Sequence, residues 1–170
     1  DKNYGKGYAC RKGIENSTGD IILIQDADLE YDPNNYYRLL EPIRNNIAKV
    51  VYGSRIMPGS NTVDNKRLNL HYKFGNFFLT KLSNILNRQN LTDAHTCYKV
   101  FKSEIIKNIS LKEDNFNFCP EVTAKISKLK IKIYEVPIDY YGRTHKEGKK
   151  IGLKDGLNAI YANIKYNLFN

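Results

Sequence analysis

The sequence predicts an α/β fold. Two short apolar runs, residues 21–24 and 50–52, are rich in β-branched side chains and end at glycine or polar residues, as buried strands do. Residues 6–16 have the pattern of a helix and come almost directly before the first run. Helices that alternate with short buried strands indicate a sheet covered by helices.

Local signals predict the next elements along the chain. Asp32 and Pro33 mark a helix start, because Asp is a good N-cap and Pro is favoured at the first helical position. Pro42 is expected to kink or end that helix. After a polar loop at 57–66, a helix is expected from about 71 to 87. One face of that helix carries Phe74, Phe77, Phe78, Leu82, Ile85 and Leu86.

The second half of the chain continues the alternation. Residues 97–101 and 105–109 are predicted to form a short strand and helix, and residues 122–129 another helix. Residues 130–138 alternate between exposed lysines and buried isoleucines, which predicts a strand. An amphipathic helix is expected at about 153–169. Its apolar stripe consists of Leu153, Leu157, Ile160, Tyr161, Ile164 and Leu168.

Composition limits the function classes. The 170 residues are 41% hydrophobic and 26% charged, which excludes a disordered or collagen-like chain. The net charge of +9 favours anionic partners: nucleic acid, phosphorylated small molecules or an anionic membrane. Three cysteines without a CxxC pair argue against a disulfide framework and favour a reducing compartment. No apolar run approaches the ~18 residues that span a bilayer, so membrane contact is expected to be peripheral or to lie outside this chain.

An acidic segment, QDADLE at residues 25–30, follows the first predicted strand. Ligands of open α/β sheets bind beyond the carboxyl ends of the strands. Asp26 and Asp28 are two residues apart and can point to the same side of an extended backbone. Their oxygens suit Mg²⁺ or Mn²⁺, which would neutralise a departing diphosphate. The alternative is an ordinary acidic turn that caps the next helix.

Four further segments carry groups that can bind anions or orient them. Gly5, Lys6 and Gly7 lie at a predicted helix start that favours phosphate, although the GK[ST] ending of a P-loop is absent. Arg55 follows the second strand and can hold phosphate bidentately. Asp93 can serve as a base or an orienting group, and the neighbouring His95 is expected to face solvent. The basic, glycine-containing segment is residues 140–150. Each segment has an alternative interpretation. It is a plain turn for Gly5 to Gly7, a surface salt bridge for Arg55, a helix cap for Asp93 and a solvated loop for residues 140–150.

Six segments, in this order and spacing, resemble the family 2 glycosyltransferases of the polyprenyl-phosphate (dolichyl-phosphate) mannose or glucose synthase branch. DADLEYDP and the tail EVPI…GRT…EGKKI are specific in combination, and the resemblance covers nearly the whole chain. The segments are NYGKGYACRKG, GDIILIQDADLEYDP, VVYGSR, LTDAHTCYKVF, FCPEVTAK and EVPIDYYGRTHKEGKKIGLKDG.

The resemblance implies a GT-A fold, here a single incomplete domain over residues 1–170 that lacks its first strands. It implies metal-dependent, inverting transfer of a hexose from a nucleotide-diphospho-sugar to polyprenyl phosphate at the cytoplasmic face of a membrane. Asp26 and Asp28 match the metal-binding pair. Glu30 is a third candidate metal ligand, because it stands where the family often has a glutamine that also reaches the metal. A further basic residue, Lys73 or Arg67, is expected at the acceptor phosphate. The implied catalytic residues are Asp28, Arg55 and Asp93, and the implied substrate-binding residues are Gly5, Lys6, Gly7, Arg11, Asp26, Ala27, Arg55, Arg143 and Lys149.

The chemistry of this reaction leaves little work for a protein base. A phosphate monoester is mostly dianionic at neutral pH, because its second pKa is about 6, and it can attack the sugar unaided. The expected task of the site is to hold two anions together and to stabilise the leaving diphosphate. Asp93 would then orient other groups.

Three rivals stay open. A family 2 transferase with a hydroxyl acceptor would need Asp93 as a true base. A nucleotidyltransferase shares the sheet and the metal carboxylates. A basic nucleic-acid-binding module explains the charge, but not carboxylates beside a buried strand, and no RRM, KH or zinc pattern is present; nucleic acid is therefore not an expected partner. The sequence makes no prediction of oligomeric state.

Overall fold

A mixed sheet forms the centre of the structure. The computed structural model describes residues 2–62, 70–143 and 152–169. Within these residues the strands stand in the spatial order β1-β3-β2-β4, with β3 antiparallel to β1 and β2, and β2 parallel to β4. The α/β prediction is confirmed. The strands are β1 (Ile21–Ile24), β2 (Val50–Ser54), β3 (Lys99–Lys102) and β4 (Tyr134–Pro137).

Helices cover both faces of this sheet. Because side chains alternate along a strand, Val50 and Tyr52 of β2 pack into one core cluster, while Val51 packs into another. The first cluster contains Phe118 and Val122 from the fifth helix. Each fully buried aliphatic side chain contributes roughly 1.5–3 kcal/mol. The helices are α1 (Lys6–Asn16), α2 (Tyr36–Arg44), α3 (Leu70–Asn87), α4 (Ser103–Lys107), α5 (Phe118–Lys128) and α6 (Leu153–Leu168).

The predicted helix start at Asp32 is confirmed in a modified form. The Asp32 carboxylate accepts a hydrogen bond from the backbone N–H of Asn34 at 2.9 Å, and a 3₁₀ turn over Pro33–Asn35 leads into α2. Pro42 lies in the last turn of α2, which ends two residues later. Its carbonyl accepts from the N–H groups of Ile47 and Ala48 and so turns the chain towards β2.

The strand predicted at 130–138 is shorter than expected. Lys130 has a positive φ of 59° and ends the turn after α5, and sheet pairing begins only at Tyr134. Ile133 is nevertheless buried and Lys132 exposed. The alternation therefore reports which side chains are buried and not which backbone groups are paired.

Two helices expose several large apolar side chains. On α3, Thr80, Ser83 and Asn87 are buried, and Asn87 contacts Asn163 and Asn167 of α6 at 3.5 and 3.0 Å. Hydrogen bonds between amide side chains thus join the two helices. The opposite faces are exposed, and they carry Phe74, Phe77, Phe78 and Ile85 on α3 and Leu157, Tyr161, Ile164 and Leu168 on α6.

No helix among the described residues is long and apolar enough to cross a membrane.

Candidate active site

The acidic loop after β1 is paired with cations from two other parts of the chain. Lys6, at the first position of α1, lies 2.7 Å from Oδ1 and 2.9 Å from Oδ2 of Asp26. The same ammonium donates to the Sγ of Cys97 at 2.9 Å. Lys6 of the Gly-Lys-Gly segment and Asp26, the first acidic residue of the loop, are therefore in direct contact. Ala27, between the two aspartates, is exposed.

Arg143 spans the other two acidic residues of this loop. Its Nη2 lies 2.7 Å from Oδ2 of Asp28, and its backbone N–H donates to Oε1 of Glu30 at 2.7 Å. Burial raises the pKa of Asp28 above its usual value, while the N–H of Glu30 and the charge of Arg143 act in the opposite direction. A candidate phosphate-binding arginine and two candidate metal ligands thus neutralise one another.

Arg55, directly after β2, is bound to Asp93 in a two-bond fork. Nε lies 2.6 Å from Oδ2 and Nη2 lies 2.8 Å from Oδ1, and the backbone N–H of Arg55 adds a third bond to Oδ2 at 3.2 Å. The Asp93 side chain is fully buried, whereas 21% of the Arg55 side chain is exposed. This fork uses two of the five guanidinium donors and leaves the exposed edge of Arg55 to face a ligand.

The acceptor capacity of Asp93 is filled. Besides the three bonds from Arg55, Oδ1 accepts from Nδ2 of Asn76 on α3 at 3.2 Å. Burial alone would raise the pKa of Asp93, but the charge and hydrogen bonds of Arg55 outweigh it and hold the pKa below its usual value. A carboxylate in this environment is a poor proton acceptor and a good orienting group.

Tyr140 brings the two arginine sites together. The guanidinium carbon of Arg55 lies 5.1 Å from the centroid of the Tyr140 ring, a cation–π contact. The next residue, Tyr141, donates its N–H to the Glu30 carbonyl at 2.8 Å, and Arg143 follows two residues later. Arg55, Arg143 and the acidic loop therefore border one region beyond the carboxyl ends of β1 and β2.

Not every predicted site residue points into that region. Arg11 pairs with Asp114 at the surface. A Cβ on Gly5 would lie 2.4 Å from the Asp114 carbonyl oxygen, and a Cβ on Gly7 would lie 2.3 Å from that of Glu113. These two glycines are thus required by close packing against residues 113–115, whatever else they bind.

One expectation about the neighbouring loop is wrong. His95 does not face solvent: it is only partly exposed, and burial together with the charge of Lys99 lowers its pKa to about 4. The imidazole is therefore neutral at pH 7. Lys73 lies on α3, while Arg67 and the whole basic stretch 144–150, including Lys149, lie outside the described residues.

Three residues of the region had not been selected from the sequence. Tyr140 and Glu135 lie inside a segment that the resemblance had marked, so their motif was the available signal. Glu135 accepts hydrogen bonds from the backbone of Thr92 and Asp93. Asn76 gave no signal, because its contact with Asp93 depends on how α3 packs.

The acidic loop can supply some of the ligands of a divalent metal, with substrate phosphates supplying the others. No three His, Cys, Asp or Glu side chains in the described ranges form a group that could hold a metal ion by themselves. The Asp26 and Asp28 side chains are, however, 21% and 24% exposed. Mg²⁺ is commonly held by one or two carboxylates together with substrate phosphates, so two accessible carboxylates are an adequate donor set.

Comparison with known proteins identifies the family to which the chain is similar. Residues 1–110 match the model of "Glycosyl transferase family 2". The chain is 32% identical over 143 residues to the low-salt glycan biosynthesis hexosyltransferase Agl6 of Haloferax volcanii, covering 82% of this chain and 33% of that protein.

Two further relatives are named for lipid-phosphate substrates. The UDP-N-acetylglucosamine–dolichyl-phosphate N-acetylglucosaminyltransferase of Methanococcus voltae is 29% identical, with 95% of this chain and 65% of that protein covered. The dolichol-phosphate mannosyltransferase of Pyrococcus furiosus is 25% identical, with coverages of 97% and 46%. The chain thus spans between a third and two thirds of these relatives.

Solved structures share the fold. Glucosyl-3-phosphoglycerate synthase from Mycobacterium tuberculosis, in complex with UDP, gives a TM-score of 0.69 at 13% identity and covers 95% of this chain and 55% of that one. The same enzyme with Mn²⁺, UDP-glucose and phosphoglyceric acid gives 0.64 at 12% identity, with coverages of 95% and 54%.

Proposed function

Because this chain belongs to glycosyl transferase family 2 and has a GT-A-type fold, we propose that it transfers a hexose from a nucleotide-diphospho-sugar to a polyprenyl phosphate, with inversion at the sugar. The observation that carries this proposal is the placement of two arginines near the acidic loop: Arg55 contacts the ring of Tyr140, and Arg143 binds Asp28. Two guanidinium groups beside two accessible carboxylates suit a site that receives two phosphate-bearing substrates.

The state of Asp93 favours a phosphate acceptor over a hydroxyl acceptor. A hydroxyl group must lose its proton to a base, whereas a phosphate monoester is already largely dianionic at neutral pH. Asp93 has a lowered pKa, and both of its oxygens accept bonds from Arg55. We therefore assign Asp93 to hold Arg55, and Arg55 to hold the acceptor phosphate.

The donor diphosphate is assigned to the loop after β1 and the start of α1. Lys6 carries a positive charge there and is held by Asp26. Mg²⁺ or Mn²⁺ at Asp26 and Asp28 would neutralise charge on the departing diphosphate. Glu30 supports the loop from the other side, because its oxygen fixes the backbone of Arg143. Among the described relatives of known structure, one was crystallised with Mn²⁺.

We propose that the protein acts at a membrane surface, since the lipid tail of the acceptor stays in the bilayer. The exposed faces of α3 and α6 supply aromatic and aliphatic side chains, and Lys81 and Lys154 on the same two helices are also exposed. Each lysine or arginine near an anionic membrane adds about 1 kcal/mol of attraction. The three free thiols fit a reducing compartment, and the cytoplasmic face is therefore the proposed location.

The second candidate is transfer to a hydroxyl acceptor, and one experiment separates the two. The whole natural protein is incubated with a panel of radiolabelled nucleotide-sugars and either a polyprenyl phosphate or the polyprenol of the same length. We expect label in the lipid fraction only with the phosphorylated lipid, and only when a divalent metal is present. Transfer to polyprenol or to an oligosaccharide, with the lipid phosphate inactive, would favour the hydroxyl acceptor.

A further inference from the structure

Glu135 on β4 binds the loop that carries Asp93. Its Oε2 accepts from the backbone N–H of Thr92 at 2.6 Å, and its Oε1 accepts from the backbone N–H of Asp93 at 2.9 Å. Successive backbone N–H groups form a concave site for an anion, and here the carboxylate of Glu135 fills it. Two consecutive peptide groups are thereby fixed in orientation.

The same loop is bound on its other side to the end of β2. Asp93 forms its fork with Arg55, and the hydroxyl of Thr92 lies 2.6 Å from that of Ser54, the last residue of β2. Strands β2 and β4 are neighbours, with Tyr52 opposite Glu135 in the register. The loop is therefore clamped between two adjacent strands, by Glu135 from one and by Arg55 and Ser54 from the other.

The use of a charged residue for this clamp has a cost. Burial raises the pKa of Glu135, and the nearby charge of Asp93 raises it further, although the two N–H groups act against both. A neutral acceptor would satisfy one of these N–H groups without repelling Asp93. A carboxylate, in contrast, offers two equivalent acceptors at the spacing of two successive N–H groups.

We propose that Glu135 is a positioning residue for sugar transfer: by fixing the backbone of Thr92 and Asp93, it aims the Asp93 carboxylate at Arg55 and so orients the guanidinium that receives the acceptor phosphate. This inference rests on the proposed function, because it takes Arg55 as the phosphate ligand. Glu135 itself touches no substrate in this scheme and acts through Asp93.

A double-mutant cycle with Arg55→Lys tests the role. Glu135→Gln keeps the size of the side chain but places an NH₂ group against one of the backbone N–H groups. We expect it to lower kcat/KM for polyprenyl phosphate roughly 10- to 100-fold, as a displaced binding group does, with the KM for the nucleotide-sugar unchanged. In the Arg55→Lys background, where the fork with Asp93 is already lost, the same change should cost less than about threefold, because residues that act as one unit are not additive.

Glu121 provides a matched control. It is a buried carboxylate on α5 that accepts from two successive backbone N–H groups in the same way, those of Lys112 and Glu113 at 2.9 Å each. Neither of these two residues belongs to the loop that binds Arg55. Glu121→Gln should lower the melting temperature. If it also lowers activity, the factor of the loss should be the same in the parent protein and in the Arg55→Lys variant. Should Glu135→Gln fail to fold, Glu135→Asp, which keeps the charge but cannot reach both N–H groups, replaces it in the cycle.

The outcomes separate this inference from the proposed function. If Glu135→Gln lowers kcat/KM by the same factor in the parent protein and in Arg55→Lys, as expected for Glu121→Gln, the positioning role is overturned. Arg55 would still stand as the phosphate ligand. Normal transfer by Arg55→Lys and Arg55→Ala would overturn the phosphate contact itself, and with it the role of Glu135.

Discussion

The guanidinium of Arg143 lies 2.7 Å from the carboxylate of Asp28, so a candidate phosphate ligand and a candidate metal ligand are bound to each other. Lys6 and Asp26 repeat the relationship at 2.7 Å. A cation that arrives at these carboxylates competes with the side chains that already neutralise them. We therefore expect metal and phosphate to replace these internal ion pairs when substrates bind to the acidic loop.

Removal of Arg143 should tighten metal binding. In Arg143→Gln the carboxylates of Asp28 and Glu30 lose their resident cation, so Mn²⁺ affinity should rise by up to about fivefold, since an exposed ion pair contributes up to about 1 kcal/mol. Electron paramagnetic resonance of free Mn²⁺, titrated without substrates, measures it. Arg11→Gln, whose partner is Asp114, is the control and should not change the affinity. Weaker Mn²⁺ binding by Arg143→Gln would contradict this placement.

Loss of one carboxylate should slow transfer strongly. Asp28→Asn keeps the side-chain shape but removes a charged metal ligand, and we expect the rate to fall at least ~100-fold, about 2.7 kcal/mol of barrier. Asp20→Asn, an exposed residue before β1, should transfer at the normal rate. A near-normal rate for Asp28→Asn, together with insensitivity to EDTA, would remove the metal from the mechanism.

Two glycines of α1 should respond to alanine in opposite directions. A Cβ on Gly7 would lie 2.3 Å from the carbonyl oxygen of Glu113, whereas a Cβ on Gly13 meets no atom within 4 Å. Gly7→Ala should therefore destabilise the protein by about 1–3 kcal/mol through overpacking. Gly13→Ala should stabilise it by up to about 1 kcal/mol, because alanine favours a helix. Denaturant unfolding measures both, and equal effects would show that residues 113–115 do not lie against Gly7.

His95 should make the stability depend on pH. Its pKa falls from 6.5 to about 4 on folding, so between these values the unfolded chain binds more protons and the free energy of unfolding decreases as the pH falls. The contribution is complete at pH 7 and is at most about 3.5 kcal/mol, at about 1.4 kcal/mol per pKa unit. Urea unfolding at pH 7 and pH 4.5 measures how much the free energy of unfolding decreases in acid. The decrease should be smaller in His95→Gln than in the parent protein. Equal decreases in the two proteins would mean that His95 is accessible to water.

The sequence predicted the strands well where a short apolar run was bounded by polar or glycine residues, as in β1 and β2. It could not predict which face of α3 and α6 is buried, because periodicity marks an apolar face without stating what covers it. The buried side of α3 carries the polar residues Thr80, Ser83 and Asn87, and Asn87 donates a hydrogen bond to Asn163 of α6. The buried side of α6 combines Asn163 with Ala162 and Tyr166. The burial of His95 likewise depends on elements far away in the chain.

Most of the candidate site was predictable, because its residues follow strand ends or lie in segments with a family resemblance. The sequence indicated each charged residue separately, and only the fold shows which of them pair. Lys6 pairs with Asp26, and Arg55 pairs with Asp93. The contributions of Asn76 and Glu135 were not predictable, since each acts through a contact over 17 or 42 residues that no local pattern encodes.

The most direct test of the account is the identity of the bond that the whole natural protein forms. With a nucleotide-sugar, a divalent metal and polyprenyl phosphate, phosphorus NMR and mass spectrometry of the lipid product should reveal a phosphodiester that joins the sugar to the lipid phosphate. In Arg55→Ala the yield of that diester should fall sharply. A sugar attached to a hydroxyl group, with the phosphate of the lipid still a monoester, would contradict the proposed function.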